Sequence, residues 1–134
     1  MSPWLRYLIA FVVLCHGFIY VRIGSALPAP VAGWRGRSWM LRDAVAGDAL
    51  ETIVVSLHVL AGVATIACAM AIAFAPAFPG SWRPLAVAAG AIGIVAFAIF
   101  WDGQGRLLFE EGVIGAVLSV ILLAAALLLP VAFA

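Results

Sequence analysis

Charge is what this chain has least of. Only 10% of its 134 residues are charged and 67% are hydrophobic, whereas a soluble domain is about half apolar and about a quarter charged. A chain this short cannot hide so much apolar surface, because a large part of a small domain faces its solvent. A soluble domain is therefore excluded, and the composition is that of one small integral membrane domain. Lysine is absent: the seven basic residues are all arginine, and six acids bring the net charge to +1. There is no basic run to grip nucleic acid or anionic lipid, so nucleic acid is excluded as a partner and the lipid bilayer is the expected surrounding. Arginine-only usage with abundant alanine and glycine fits a GC-rich genome, and a bacterial or archaeal cell membrane is the expected location. Cysteine is scarce too. Cys15 and Cys68 form no C-x-x-C pair, which excludes dithiol redox chemistry of that kind, and both read as small apolar residues.

What the chain does have is four apolar runs separated by turn chemistry. The first, Trp4–Ile23, has about the 20 residues that cross a hydrocarbon core at the helical rise. It looks like a signal peptide, but its leading region is poorly charged, so it is read as a retained helix. Gly24, Ser25, Pro28 and Pro30 end it. The second run, 51–75, opens on Asp48 and Glu51, spaced as a capping box, and stops at Pro76, Pro79 and Gly80. The third, 84–101, carries Pro84 in its first turn and is the shortest, at about 17 residues. The fourth, 111–133, has no charge from Val113 onward. These runs predict an all-α integral membrane protein of one domain, residues 1–134, with four transmembrane helices in an up-down bundle. The polar connection 31–47 admits a short interfacial helix over Ser38–Ala46, with Trp39, Met40 and Val45 turned toward lipid.

Arginine placement sets the expected orientation. Arg22, Arg35, Arg37, Arg42 and Arg106 fall beside the first and third connections, and only Arg6 and Arg83 fall on the other side. Loops 1–2 and 3–4 are therefore expected in the cytoplasm and both termini outside. All six acids lie on the same side as the five arginines, so one end of the bundle is chemically equipped and the other is not. Small residues at four-residue spacing, Ala86 with Gly90, Ala89 with Gly93 and Gly115 with Ser119, allow close helix approach. They leave open whether the partner lies within the chain, in another copy or in another subunit, so a homo-oligomer or a complex with other membrane subunits is expected. No internal repeat supports an inverted-repeat transporter.

An ionisable residue inside a membrane span is a functional candidate by default. His16 and His58 both sit about 10 Å below the same expected interface at the helical rise, on consecutive helices, so they are candidates for one shared cofactor- or ligand-binding site. Such a pair suits axial ligation of haem b, a metal, or hydrogen bonds to a quinone or lipid headgroup; the plainer alternative is two histidines bonded to neighbouring hydroxyls or carbonyls. Tyr20 lies one turn from His16. His58-Val-Leu-Ala-Gly62 resembles, over those five residues alone, the His-x-x-x-Gly of haem-binding membrane anchors. Tyr20, Trp39, Arg42, Trp101 and Arg106 are the remaining candidates to line a pocket at the equipped end. Asp48 and Glu51 favour a helix start, as do Glu110 and Glu111. Asp102, at the C-terminal end of the third run, opposes the helix dipole and calls for an offsetting partner.

Several small membrane families lack their marks here. Small multidrug transporters carry a glutamate in the first helix, vitamin K epoxide reductase-like enzymes a C-x-x-C, and membrane-associated glutathione enzymes a polar signature on the second helix. The inventory favours a ligand-binding bundle or an accessory subunit of a membrane complex. The alternatives are electron transfer through haem b held by His16 and His58, and a lipid- or isoprenoid-modifying enzyme with His58, Glu51 and Asp102 as acid and base. A small oligomeric transporter is the least supported.

Overall fold

The computed structural model describes residues 2–26, 37–41, 44–45, 47–104 and 112–129. Among them there is no strand, and four helices follow in order: α1 (Pro3–Ala26), α2 (Asp48–Ala73), α3 (Trp82–Phe100) and α4 (Val113–Leu128). The first three are each long and apolar enough to cross a membrane. The 16 residues of α4 extend about 24 Å at 1.5 Å per residue, so α4 rather than α3 is the shortest described helix. Residues 111 and 130–133 of the expected fourth span lie outside the described residues.

Two local expectations are corrected. α2 begins at Asp48 itself, so the Asp48 carboxylate is already past the capping position. Gly47 takes that place at φ 62° with no side-chain cap, and its carbonyl accepts the Glu51 N–H at 3.2 Å. Asp48 and Glu51 keep the bland role of acids in a first turn, beside unpaired N–H groups. The interfacial helix over Ser38–Ala46 is likewise absent among the described residues of that stretch; positions 42, 43 and 46 lie outside them. Residues 39–41 form a turn closed by Ser38 Oγ, which accepts the Leu41 N–H at 3.2 Å. The Ala44 N–H then bonds to the Leu41 carbonyl at 2.8 Å. A serine hydroxyl bonded to a nearby N–H offers the backbone a turn in place of a helix.

Each helix packs on its sequence neighbour, while α1 and α4 barely meet. Glycine decides the closest approaches. Gly17 of α1 lies against Gly62 and Ile66 of α2, and Gly24 lies against Val55, His58 and Val59. A Cβ on Gly62 would fall 2.5 Å from Val21 Cγ2 and 2.9 Å from the Gly17 carbonyl, so the backbones themselves touch there. Leu50 and Val54 of α2 form one cluster with Phe100 of α3, and at the far end Cys68 Sγ lies 3.7 Å from the Trp82 carbonyl. Gly90 of α3 faces Ser119 and Leu123 of α4. On every seam, rising numbers on one helix meet falling numbers on the next. The Arg83 guanidinium donates to the Leu129 carbonyl at 2.7 Å, satisfying one of the carbonyls that a helix C-terminus leaves unpaired. The small-residue faces thus find partners inside this chain.

Many large apolar side chains point outward, Trp4, Phe11, Phe18, Ile114 and Leu128 among them. On α3 the buried positions include Ala86, Ala89, Gly90, Gly93 and Ala96. The polar residues His16, His58, Thr65 and Ser119 are buried on their helices.

Candidate functional site

His16 and Tyr20 stand one turn apart on α1, so they share a face, and their rings meet with centroids 4.8 Å apart. That face turns toward α4, where Ser119 is the meeting point. Its Oγ lies 2.9 Å from the Tyr20 hydroxyl and 3.4 Å from His16 Nε2. The hydroxyls fit because α3 presents no side chain opposite them: a Cβ on Gly93 would collide with Ser119 Oγ and would lie 2.6 Å from the Tyr20 oxygen. Tyr20 also packs against His58 of α2, with ring centroids 5.8 Å apart and the rings edge to face. Phe100 of α3 covers the other side of His58 at 5.1 Å. All four helices therefore contribute to one buried polar cluster.

His16 is 5%, His58 3% and Ser119 1% exposed. Their hydrogen bonding is incomplete. His58 Nδ1 lies 2.8 Å from the Val54 carbonyl one turn back. A carbonyl has no proton to give, so Nδ1 carries the hydrogen and Nε2 of the neutral ring holds a lone pair. His16 Nδ1 is buried and has no hydrogen-bond partner. A vacancy of this kind costs about 1–3 kcal/mol, which a bound molecule can recover.

The cluster walls a cavity of about 250 Å³ lined by His16, Tyr20, His58, Phe97, Gly115 and Leu118, among others. An apolar groove of about 330 Å³ shares His16 and Leu118 with it and runs on between Leu8 and Val12 of α1 and Ile121 of α4. Leu8, Val12 and Ile121 are exposed, so this groove is open to the side, between α1 and α4 where they barely meet. No carboxylate or guanidinium among the described residues lines either space.

The other sequence candidates fall elsewhere. Glu51 lies in a separate surface depression with Asp48, Thr52 and Ser56. Asp102 Oδ1 accepts the Gln104 N–H at 2.8 Å, and Gly103 between them carries φ 89°, a turn in which the carboxylate fixes its own loop. Of His58, Glu51 and Asp102, His58 lines the cavity described above and Glu51 the separate depression. Trp39 and Trp101 do come together, with ring centroids 5.6 Å apart and the Trp39 N–H bonded to the Trp101 carbonyl at 2.9 Å. Phe97 stacks on Trp101 at 6.3 Å, so an aromatic series leads from the loop to the cavity wall. Arg42 and Arg106 lie outside the described residues. Among the described residues no group of three or more His, Cys, Asp or Glu is placed to hold a metal ion. Tyr20 packs against both imidazoles and Ser119 engages His16 Nε2, so a haem ligated by both histidines requires the tyrosine to leave. Ser119, Phe97, Phe100, Gly93 and Gly115 are the site residues that sequence reasoning passed over, except as packing positions. No protein-family model, curated protein or solved structure matches this chain.

Proposed function

We propose that this protein is an integral membrane up-down four-helix bundle that binds a neutral, lipid-like molecule entering sideways between α1 and α4. Membrane residence is supported by three apolar helices of crossing length and by large apolar side chains on the outside with small residues within. Where the solvent is hydrocarbon, burying leucine gains nothing and helices associate through small residues and close contact. The up-down course is supported by the opposed registers on all three seams. The arginine distribution supports cytoplasmic loops 1–2 and 3–4, with both termini outside.

One observation carries the binding reading. Two buried histidines, one of them with an unpartnered ring nitrogen, line a cavity that has no charged side chain among its described lining residues and adjoins an apolar groove. An amphipathic ligand reaches such a site from the bilayer without crossing water, leaves its tail in the groove and spends its polar end on the histidines. The chain then acts as a ligand-binding module, alone or as a subunit of a membrane complex. No described carboxylate that a hydrolytic or transfer reaction would recruit lines the cavity, which favours binding over catalysis.

The test compares wild type with Gly115→Leu, which fills the cavity from α4. Organic extraction of purified wild type is expected to yield a neutral lipid in about equimolar amount, and the variant to yield little. Equal lipid content in the two proteins, or no stabilisation of lipid-free wild type by any neutral amphiphile, would refute the reading.

A further inference from the structure

We infer that the ligand of this cavity is a membrane-soluble quinol, bound in preference to its oxidised quinone. The inference rests on the ligand-binding reading above and names its ligand class. Shape comes first. His16, Tyr20, His58 and Phe97 line the cavity, so an aromatic head finds ring faces and edges on several sides, contacts that an alkyl alcohol does not make. Charge comes second. The described lining residues carry no charge, so a phosphate or carboxylate head would be desolvated against them with no counter-charge from any of them. A neutral ring avoids that cost. Its hydrocarbon tail has a path along the adjoining groove beside Leu8, Val12 and Ile121.

The polarity of the hydrogen bonds chooses the oxidation state. Tyr20, Ser119 and His16 form a chain that can run either way. If Ser119 donates to His16 Nε2, Nδ1 carries a hydrogen and is a donor. If His16 Nε2 donates to Ser119, Nδ1 is an acceptor. His16 therefore adapts to a hydroxyl or to a carbonyl. His58 does not. Its Nδ1–H is committed to the Val54 carbonyl, so Nε2 accepts and nothing else. A quinol O–H donates to that lone pair. A quinone carbonyl sets lone pair against lone pair and leaves both unpaired, and sites built on a hydrogen bond discriminate strongly against a partner that lacks it.

The experiment uses the full chain in lipid nanodiscs, titrated by calorimetry under anaerobic conditions with a decyl-tailed benzoquinol, the matching benzoquinone and decyl alcohol. The quinol is expected to bind at least about tenfold more tightly than the quinone, a ratio that corresponds to one unpaired buried acceptor. His58→Phe keeps a ring and removes the acceptor, and is expected to abolish the preference while quinone binding persists. Gly115→Ala adds a methyl 3.5 Å from His16 Cε1, in ordinary contact, and is expected to weaken quinol and quinone alike without harming the fold. Equal affinities in wild type, or a preference that survives in His58→Phe, overturn the inference. Decyl alcohol binding as tightly as the quinol overturns it while leaving the ligand-binding reading in place. Failure of all three molecules to bind overturns both.

Discussion

Along one edge of α1, Gly17 meets Gly62 of α2 with no room for a methyl group between the backbones. Along the other edge, His16 and Tyr20 reach across a gap to Ser119 of α4, and the two helices otherwise barely touch. Glycine serves both edges in opposite ways. On the first it lets backbones into contact. On the second, Gly115 leaves space beside His16 that the chain does not fill. A helix pair can thus be held by proximity alone or by a few polar bonds around a void, and α1 does each on a different side. The closed seam is a structural joint, and the open one borders a groove.

The largest effect should come from forcing the closed seam. Gly62→Ala places a Cβ against Val21 and the Gly17 carbonyl, and overpacking of this kind costs about 1–3 kcal/mol. Reversible unfolding of the purified protein in mixed micelles should show that loss; unchanged stability would mean that the two helices separate freely. Next comes the polar bridge of the open seam. A double-mutant cycle between Tyr20→Phe and Ser119→Ala should give a coupling of about 0.6 kcal/mol, the usual size for hydrogen bonds between membrane helices. A coupling near zero would remove the bridge as the tie between α1 and α4. Gly115→Ala makes the sharpest contrast with Gly62→Ala. The same methyl meets no clash here, and replacing a helical glycine is expected to leave stability unchanged or raise it by up to about 1 kcal/mol. Destabilisation as large as that of Gly62→Ala would erase the distinction between the edges. The smallest expected change is spectroscopic. With Tyr20 against both histidines, protein expressed with ample haem should show no Soret absorbance; a strong band would show that the tyrosine yields its place.

The four helices could be read from local pattern, because run length and turn chemistry are local facts. Their ends shifted by a few residues where the chain had a cheaper option. Gly47 at φ 62° replaced the Asp48 cap, and Ser38 closed a turn where a short helix was expected. His16 and His58 drew notice as ionisable residues in apolar runs, but their expected equal depth is not met. With Gly24 against His58 and Gly17 against Gly62 and Ile66, they stand about two turns apart along the bundle, and Tyr20 spans the difference. What local pattern could not show is the company they keep. Ser119 bonds to residues about a hundred positions away, and no spacing rule reaches that far. It did leave one signal: it is the single hydroxyl in the run from Val113 to Ala134. Glu51 and Asp102 had seemed to stand near His58 because they share its end of the chain's layout. In the structure Glu51 lines a surface depression and Asp102 accepts the Gln104 N–H in a turn.

The Ser119 bridge also has a consequence for how the chain is made. His16 and Tyr20 leave the ribosome 103 and 99 residues ahead of the serine that joins them. At about 5–20 residues per second, the first helix waits on the order of five to twenty seconds before its hydroxyl partner exists. Until then its imidazole and phenol must find other hydrogen-bond partners. α4, made after the other three helices, is thus the one that completes this polar cluster. A chain cut short before α4 would be left with an unmet polar stripe, a feature that sets an unfinished product apart from a finished one.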